Sequence, residues 1–448
     1  MPARALPGFR DFYPDDITLR NHIFAAWRGV AARYGFEEYD GPPLEALELY
    51  TEKSGPEIVG QLYQFTDKGD RRVALRPEMT PSLARMVAAR AGALKKPIRW
   101  FSLPQLFRYE RQQRGRLREH FQLNMDIMGE PGPLADAEII AAAIDIQRAL
   151  GLGPDDVRVR VSDRRVLRAL LLAAGVPEEH LGRAFTAMDR MTRSSLPRAQ
   201  EELDAILQES IGQLDAGAVV GRVTHLALQI RGRQALEDEL RKARTEGDTG
   251  RDLFECLDAL EAMGLTAFVE VDPSIVRGLA YYTGIVFEIF DKSQSLRAVC
   301  GGGRYDGLLK ALGGVDLPAV GFGMGDVVLG EILKDRGLTP PASVIDAFLV
   351  AVTHQERAPV LKLAHELRDR GVRVEFALKE QTIAKQMKLA GARNARVAVI
   401  VGPEERAAGL AVRRDLVSGQ QERVSQAELV ENWAVAPGLT GSRASATG

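Results

Sequence analysis

Between Glu119 and Met128 the chain alternates strictly: Phe121, Leu123, Met125 and Ile127 are apolar, and Gln122, Asn124 and Asp126 between them are polar. A period of two belongs to a β-strand with unlike faces, so this segment needs a sheet that is packed on one side and polar on the other. It forms the second arm of an expected antiparallel hairpin over residues 98–130, with a polar, arginine-rich connection at 112–117. On the first arm the same geometry puts Arg108 and Glu110 on one face. Five polar groups then either converge on a ligand or line a solvated face. Arginines 108, 111, 114, 116 and 118 crowd this turn, with Glu110 and Glu119 among them. Such density suits a polyanion such as a triphosphate, because guanidinium binds phosphate oxygens through paired, charge-assisted bonds.

The rest of the chain frames this hairpin. Ile17, Phe24, Trp27 and Ala31 recur at helical spacing over 17–34, and Gly35 and Pro42-Pro43 end the helix. Residues 163–262 read as a charged, almost purely helical block, which looks like an insertion. Strand signals return at Ala280–Phe290, and the glycine run 301–307 precedes a short helix. That run is G-x-G-x-x-x-G without a surrounding βαβ unit, so it predicts tight backbone packing around a ligand rather than a dinucleotide fold. Gly55 and Gly60 have P-loop spacing, but Gln61-Leu62 stands where Lys-Ser/Thr is required. Lys334–Ser343, with Gly337 and Pro340-Pro341, reads as an interdomain linker. Beyond it the pattern is strand 346–353, helix 356–371, strand 372–377, helix 380–391, strand 396–401, then a shorter strand and helix, an α/β arrangement. The expected division is a core over 1–330 interrupted at about 163–262, a linker at 331–345, an α/β domain at 346–436 and a flexible tail at 437–448.

Composition narrows the function classes. The formal charge of −2 excludes a uniformly basic nucleic-acid coat, so contact with nucleic acid has to come from local patches. Two cysteines build neither a disulfide framework nor a four-cysteine zinc site, and the six histidines show no metal-ligand spacing. No protein metal site is expected. The start of the chain lacks the apolar core of a secretory signal, and nothing approaches 18 uninterrupted apolar residues. A cytoplasmic protein without a membrane span is predicted.

Several segments together resemble one family. Gly8-Phe9-Arg10-Asp11 and the helix ending before Pro42-Pro43 are similar to the opening and the dimer-forming motif 1 of histidyl-tRNA synthetases, and Phe107–Arg111 resembles their motif 2. Arg277–Tyr282 and Gly302–Leu308 resemble the two histidine signatures, and 346–434 the anticodon-binding domain. The resemblance implies an α+β fold: a class II synthetase antiparallel sheet with a helical insertion, plus a C-terminal α/β anticodon-binding domain. It implies a histidine–tRNA ligase that uses ATP with Mg2+, acts on L-histidine and tRNA(His), and forms a homodimer. By the same resemblance, Glu78 and Gln122 hold the substrate's α-amino group, Asp126 and Tyr282 its ring nitrogens, and Thr80 and Tyr281 complete the pocket. Arg108 binds the α-phosphate, Glu110 the adenine amino group and Arg116 the γ-phosphate. Arg277 faces the α-phosphate from the opposite side, which makes Arg108 and Arg277 the catalytic pair.

Two positions depart from the family pattern. Ala280 stands where an Asp is usual, and Gly321–Val328 carries no arginine where motif 3 usually ends in one that binds ATP. Segment 379–396 has Lys379, Lys385, Lys388, Arg393 and Arg396 against one acid, Glu380, a patch for tRNA phosphates or a solvated helix with Ile383, Met387 and Ala390 inward. The rival reading is a histidine-sensing regulatory paralogue of ATP phosphoribosyltransferase. Relatives of that kind typically lack the anticodon domain and lose catalytic residues.

Overall fold

The computed structural model describes residues 5–51, 59–111, 115–193, 196–245, 247–276, 281–293, 297–340 and 345–433. It divides into two compact units, Met1–Thr339 and Pro340–Gly448. The helix Asp326–Asp335 runs into the segment assigned to the linker. The proposed tail lies outside the described residues.

The first unit is built on a nine-stranded sheet. Its strands are β1 (Glu37–Glu38), β5 (Ile98–Ser102), β6 (Gln105–Phe107), β7 (Glu119–Met128), β8 (Val157–Asp163), β9 (Val269–Val271), β10 (Ile285–Asp291), β11 (Cys300–Arg304) and β12 (Ala319–Gly325). The order is β1-β5-β7-β12-β11-β10-β8-β9, with β6 also on β7. The centre is antiparallel, as expected, but the end pairs β1–β5 and β8–β9 are parallel, so the sheet is mixed. β2 (Leu44–Ala46), β3 (Gln64–Thr66) and β4 (Arg72–Leu75) make a separate small antiparallel sheet.

The alternation in β7 sorts its side chains as the sequence predicts. Leu123, Met125 and Ile127 join the main core with Ile23 and Trp27 of helix Pro14–Arg33 and Ile139, Ile140 and Ile144 of helix Pro133–Ala149. On the neighbouring strand Val320, Phe322 and Met324 enter the same core. Glycines 321, 323 and 325 alternate with them, so from Gly321 onward the opposite face of β12 carries no side chains. Between β8 and β9 the chain is helical, from Arg164–Ala173 to Arg251–Ala262.

The hairpin differs from its prediction in one respect. Its first arm breaks at Leu103-Pro104 into β5 and β6, because proline cannot donate to the ladder, and β6 ends at Phe107. Arg108 and Glu110 therefore lie beyond the strand, held by backbone bonds from Arg108 N to Arg118 O (3.0 Å) and Glu110 N to Arg108 O (2.8 Å). In the glycine run, Gly302 and Gly303 lie within β11 and pack against neighbouring strands, a Cβ on Gly303 standing 2.6 Å from Ile285 O, while Gly301 and Gly307 line a cavity.

The second unit carries a five-stranded sheet of β13 (Ala347–Ala351), β14 (Val374–Phe376), β15 (Val397–Val401), β16 (Leu410–Asp415) and β17 (Gln421–Ser425). The order is β14-β13-β15-β16-β17, parallel across the first three and antiparallel across the rest. Two strands and the helix Pro403–Ala408 occupy the region read as one short strand. Helix Arg357–Asp369 packs Val360, Leu363 and Leu367 on Leu349 and Val399, while Ala390 packs on Phe348 and Val350, so apolar clusters form on both faces. In helix Ile383–Ala392 Met387 and Ala390 face inward as expected, joined by Gln386, whose amide donates to Ala351 O (2.8 Å); Ile383 stays 38% exposed, contrary to the sequence reading. Lys379, Lys385, Lys388 and Arg396 are exposed, whereas Arg393 is tied to Glu375 (Nε to Oε2 2.7 Å).

Candidate active site

The glycine-bearing face of β12 and the polar face of β7 floor a cavity of about 1070 Å³ in the first unit. Gln122, Asn124 and Asp126 line it from β7, and Gly321 and Gly323 from β12. The glycines are required there: a Cβ on Gly321 would overlap the Asp126 carboxylate, and one on Gly323 the Gln122 amide. A larger residue at either position would displace the polar side chain beside it. Glu78, Thr80, Arg108, Glu110, Arg116, Tyr281 and Tyr282 line the same cavity. Every described residue proposed for the site is thus brought together. Arg277 and Ala280 lie outside the described residues.

Each segment has a local reason for its place. Buried Arg76 fastens the turn that presents Glu78, donating to Gln105 O (3.0 Å), Gly41 O (2.7 Å) and Asp40 Oδ1 (2.7 Å). Thr80 and Pro81 then open helix Thr80–Arg90, where a proline costs no hydrogen bond. Arg108 Nε donates to Pro77 O (2.8 Å), tying the two segments. Arg10 bonds Glu119 (2.6 Å) and Asp326 (2.9 Å), so the Gly8–Asp11 segment is pinned beside the start of β7. Asp326, in the motif 3 region, also accepts from Phe121 N (2.9 Å). Arg304 of the second signature is not a cavity group: it is buried against Asp136, Glu130 O (3.0 Å) and Gly132 O (3.0 Å).

The electrostatics differ between the two ends of the cavity. Asp126 is buried and accepts a hydrogen bond from the Tyr305 hydroxyl. Burial pushes its carboxyl up to about 7, with the Tyr305 bond acting the other way. The rings of Tyr281 and Tyr282 meet tilted at 48° with centroids 4.9 Å apart, and Tyr281 meets Tyr305 edge-on at 6.1 Å, which makes an aromatic wall beside Asp126. At the other end Arg116 donates to Glu110 Oε1 (2.7 Å). His120 lines the cavity too, and burial together with the Arg108 cation lowers it to about 4, so its ring is neutral near pH 7.

Three lining residues were missed in the sequence. Tyr305 stands inside the second signature, but its bond to Asp126 joins positions 179 apart. The alternation left the direction of His120 open. Arg297 drew no notice because it precedes the glycine run without a motif of its own.

Comparison with known proteins places this geometry. A family model described as "Histidyl-tRNA synthetase" matches residues 8–325, and one described as "Anticodon binding domain" matches 346–433. The chain belongs to the histidyl-tRNA synthetase family. It is therefore an aminoacyl-tRNA synthetase, and its activity is that of a histidine–tRNA ligase. It is 46% identical over 429 residues to a histidine–tRNA ligase of Opitutus terrae, covering 95% of this chain and 97% of that one. It is 40% identical to a chloroplastic/mitochondrial histidine–tRNA ligase of Arabidopsis thaliana, covering 94% and 85%. The histidyl-tRNA synthetase structure from Nostoc sp. PCC 7120 shares the fold with a TM-score of 0.83 at 23% identity, covering 96% of this chain and 98% of that chain. The matched anticodon-binding domain disfavours the regulatory paralogue of this histidyl-tRNA synthetase family. Among the described residues no helix is long and apolar enough to cross a membrane.

Proposed function

We propose that the cavity holds L-histidine and ATP side by side, joins them as histidyl-adenylate with loss of pyrophosphate, and passes the histidyl group to the terminal ribose of tRNA(His). The carrying observation is a buried carboxylate in an aromatic wall, Asp126, within the same cavity as the phosphate-binding candidate Arg108. Asp126 accepts from one imidazole N–H and Tyr282 engages the other ring nitrogen. An isosteric apolar ring offers neither buried group a hydrogen bond, which is the stronger form of selection. Tyr305 acts on Asp126 and is a positioning residue. Glu78 and Gln122 take the ammonium group, and Thr80 and Tyr281 close the pocket.

One oxygen of the histidine carboxylate attacks the α-phosphorus in line, and the bond from that phosphorus to pyrophosphate breaks. Arg108 stabilises the charge on the α-phosphate, and Arg277 is assigned the opposite side. Glu110 reads the adenine amino group and Arg116 the γ-phosphate, roles that require their mutual pair to open for nucleotide. No protein nucleophile takes part, so placement and charge stabilisation do the chemistry. ATP enters as its Mg2+ complex, with phosphate oxygens and water as hard ligands. Among the described residues no group of three or more His, Cys, Asp or Glu side chains is placed to hold a metal ion. The exposed lysines 379, 385 and 388 and Arg396 offer tRNA a cationic surface. The working form is a cytoplasmic homodimer.

Purified protein with Mg2+ and ATP is expected to exchange labelled pyrophosphate into ATP when histidine is added, and not when phenylalanine replaces it. No exchange with histidine excludes the activation step.

A further inference from the structure

Among the described residues three arginines line the cavity: Arg108, Arg116 and Arg297. The third has no role in the reaction as set out above. Its place follows from the register of β11 and β12. Cys300 lies opposite Met324, and Gly325 N donates to Val299 O (3.4 Å), so Val299 faces Gly325. Arg297 precedes Val299 by two residues and lines the cavity with it, and beyond Gly325 β12 gives way to helix Asp326–Asp335. Val327 and Val328 line the cavity at this end. The loop carrying Arg116 arrives at the same place: a Cβ on Gly115 would stand 3.3 Å from Val328 Cγ2. Gly115, next to Arg116, and Val299, two residues from Arg297, thus both meet the chain near the end of β12. Asp126 lies opposite Gly321 and Gln122 opposite Gly325, so this end is about 13 Å along β12 from the imidazole-binding end.

We propose that Arg297 binds the β- and γ-phosphates of ATP, and the departing pyrophosphate, together with Arg116. The proposal rests on the nucleotide reading of this cavity. Its chemistry is complementary: the triphosphate tail is the most anionic part of the substrates, and Arg116 shares its charge with Glu110. Arg297 is exposed, on the segment that leads into β11 at the strand end away from the Asp126–Gly321 pair. It also supplies a cation to a cavity whose motif 3 end carries valines.

The test is Arg297→Ala in histidine-dependent exchange, together with binding of a histidyl-sulfamoyl adenosine, which resembles the adenylate but has no β- or γ-phosphate. The expected result is a rise of about 10- to 100-fold in KM for both ATP and pyrophosphate, an unchanged KM for histidine, and unchanged binding of the analogue. Arg297→Lys is expected to recover part of the loss. An unchanged ATP KM overturns the proposal, and so does equal weakening of ATP and the analogue, which marks a merely structural role. If the parent protein exchanges and only the variant pattern disagrees, Arg297 alone falls. If the parent shows no histidine-dependent exchange, the nucleotide reading falls and takes this assignment with it.

Discussion

Arg108→Ala is expected to lower the rate of histidine-dependent pyrophosphate exchange by about 100- to 1000-fold, with the fold retained. The guanidinium lines the cavity and is anchored by the bond from Nε to Pro77 O at 2.8 Å. That bond fixes the direction of the fork toward the cavity, so little reorganisation is needed when charge builds on the α-phosphate. Loss of an interaction that strengthens in the transition state reduces kcat as well as kcat/KM, and steady-state kinetics separates this from a simple binding defect. Arg108→Lys is expected to remain well below the parent, because an ammonium cannot reproduce paired hydrogen bonds. A thermal melt close to the parent's accompanies the loss. A variant with parental kcat removes Arg108 from the reaction.

Asp126→Ala is expected to weaken histidine binding by about 100-fold or more while ATP binding changes little, as calorimetry of each ligand reads out. The carboxylate is buried beneath the aromatic wall, so the substrate ring has no water to replace the lost partner. The Tyr305 hydroxyl also loses its acceptor. Asp126→Asn keeps the shape and removes the titration, which isolates a second effect. The folded-state value of about 7 lies above the roughly 4 of an unfolded aspartate. Asp126's contribution is complete below about pH 4 and is lost as pH rises through 7, because in that window the folded chain holds a proton that the unfolded chain has released. The melting temperature of Asp126→Asn should therefore gain on that of the parent between about pH 4 and pH 7 and hold its lead above. A constant difference across this window contradicts the placement of Asp126 in a desolvated site.

What the sequence disclosed depended on the range of the interaction. The two faces of β7 were legible because alternation is local, and so was the helical block between β8 and β9. The break at Leu103-Pro104 was not weighed, which left Arg108 and Glu110 assigned to a strand that ends at Phe107. Both still reach the cavity, since the turn is held by the Arg108–Arg118 backbone bond. The glycines of the 301–307 run signalled close approach, but not which of them meet neighbouring strands and which line the cavity. Ile383 is exposed and Gln386 joins Met387 and Ala390 inside, because the Gln386 amide satisfies the backbone of Ala351, and a buried amide with partners is tolerated where periodicity alone expects an apolar side chain. Tyr305 and Arg297 were hidden for a different reason. Their meaning comes from strand pairing between distant segments, which residue spacing does not encode.

The most direct measurement is a crystal structure of the protein with a histidyl-sulfamoyl adenosine. The imidazole is expected within hydrogen-bond reach of Asp126 and Tyr282, the sulfamoyl group at Arg108, and the adenine amino group at Glu110 released from Arg116. An analogue seated away from the β7–β12 floor, or turned so that its adenine meets Asp126, contradicts the account.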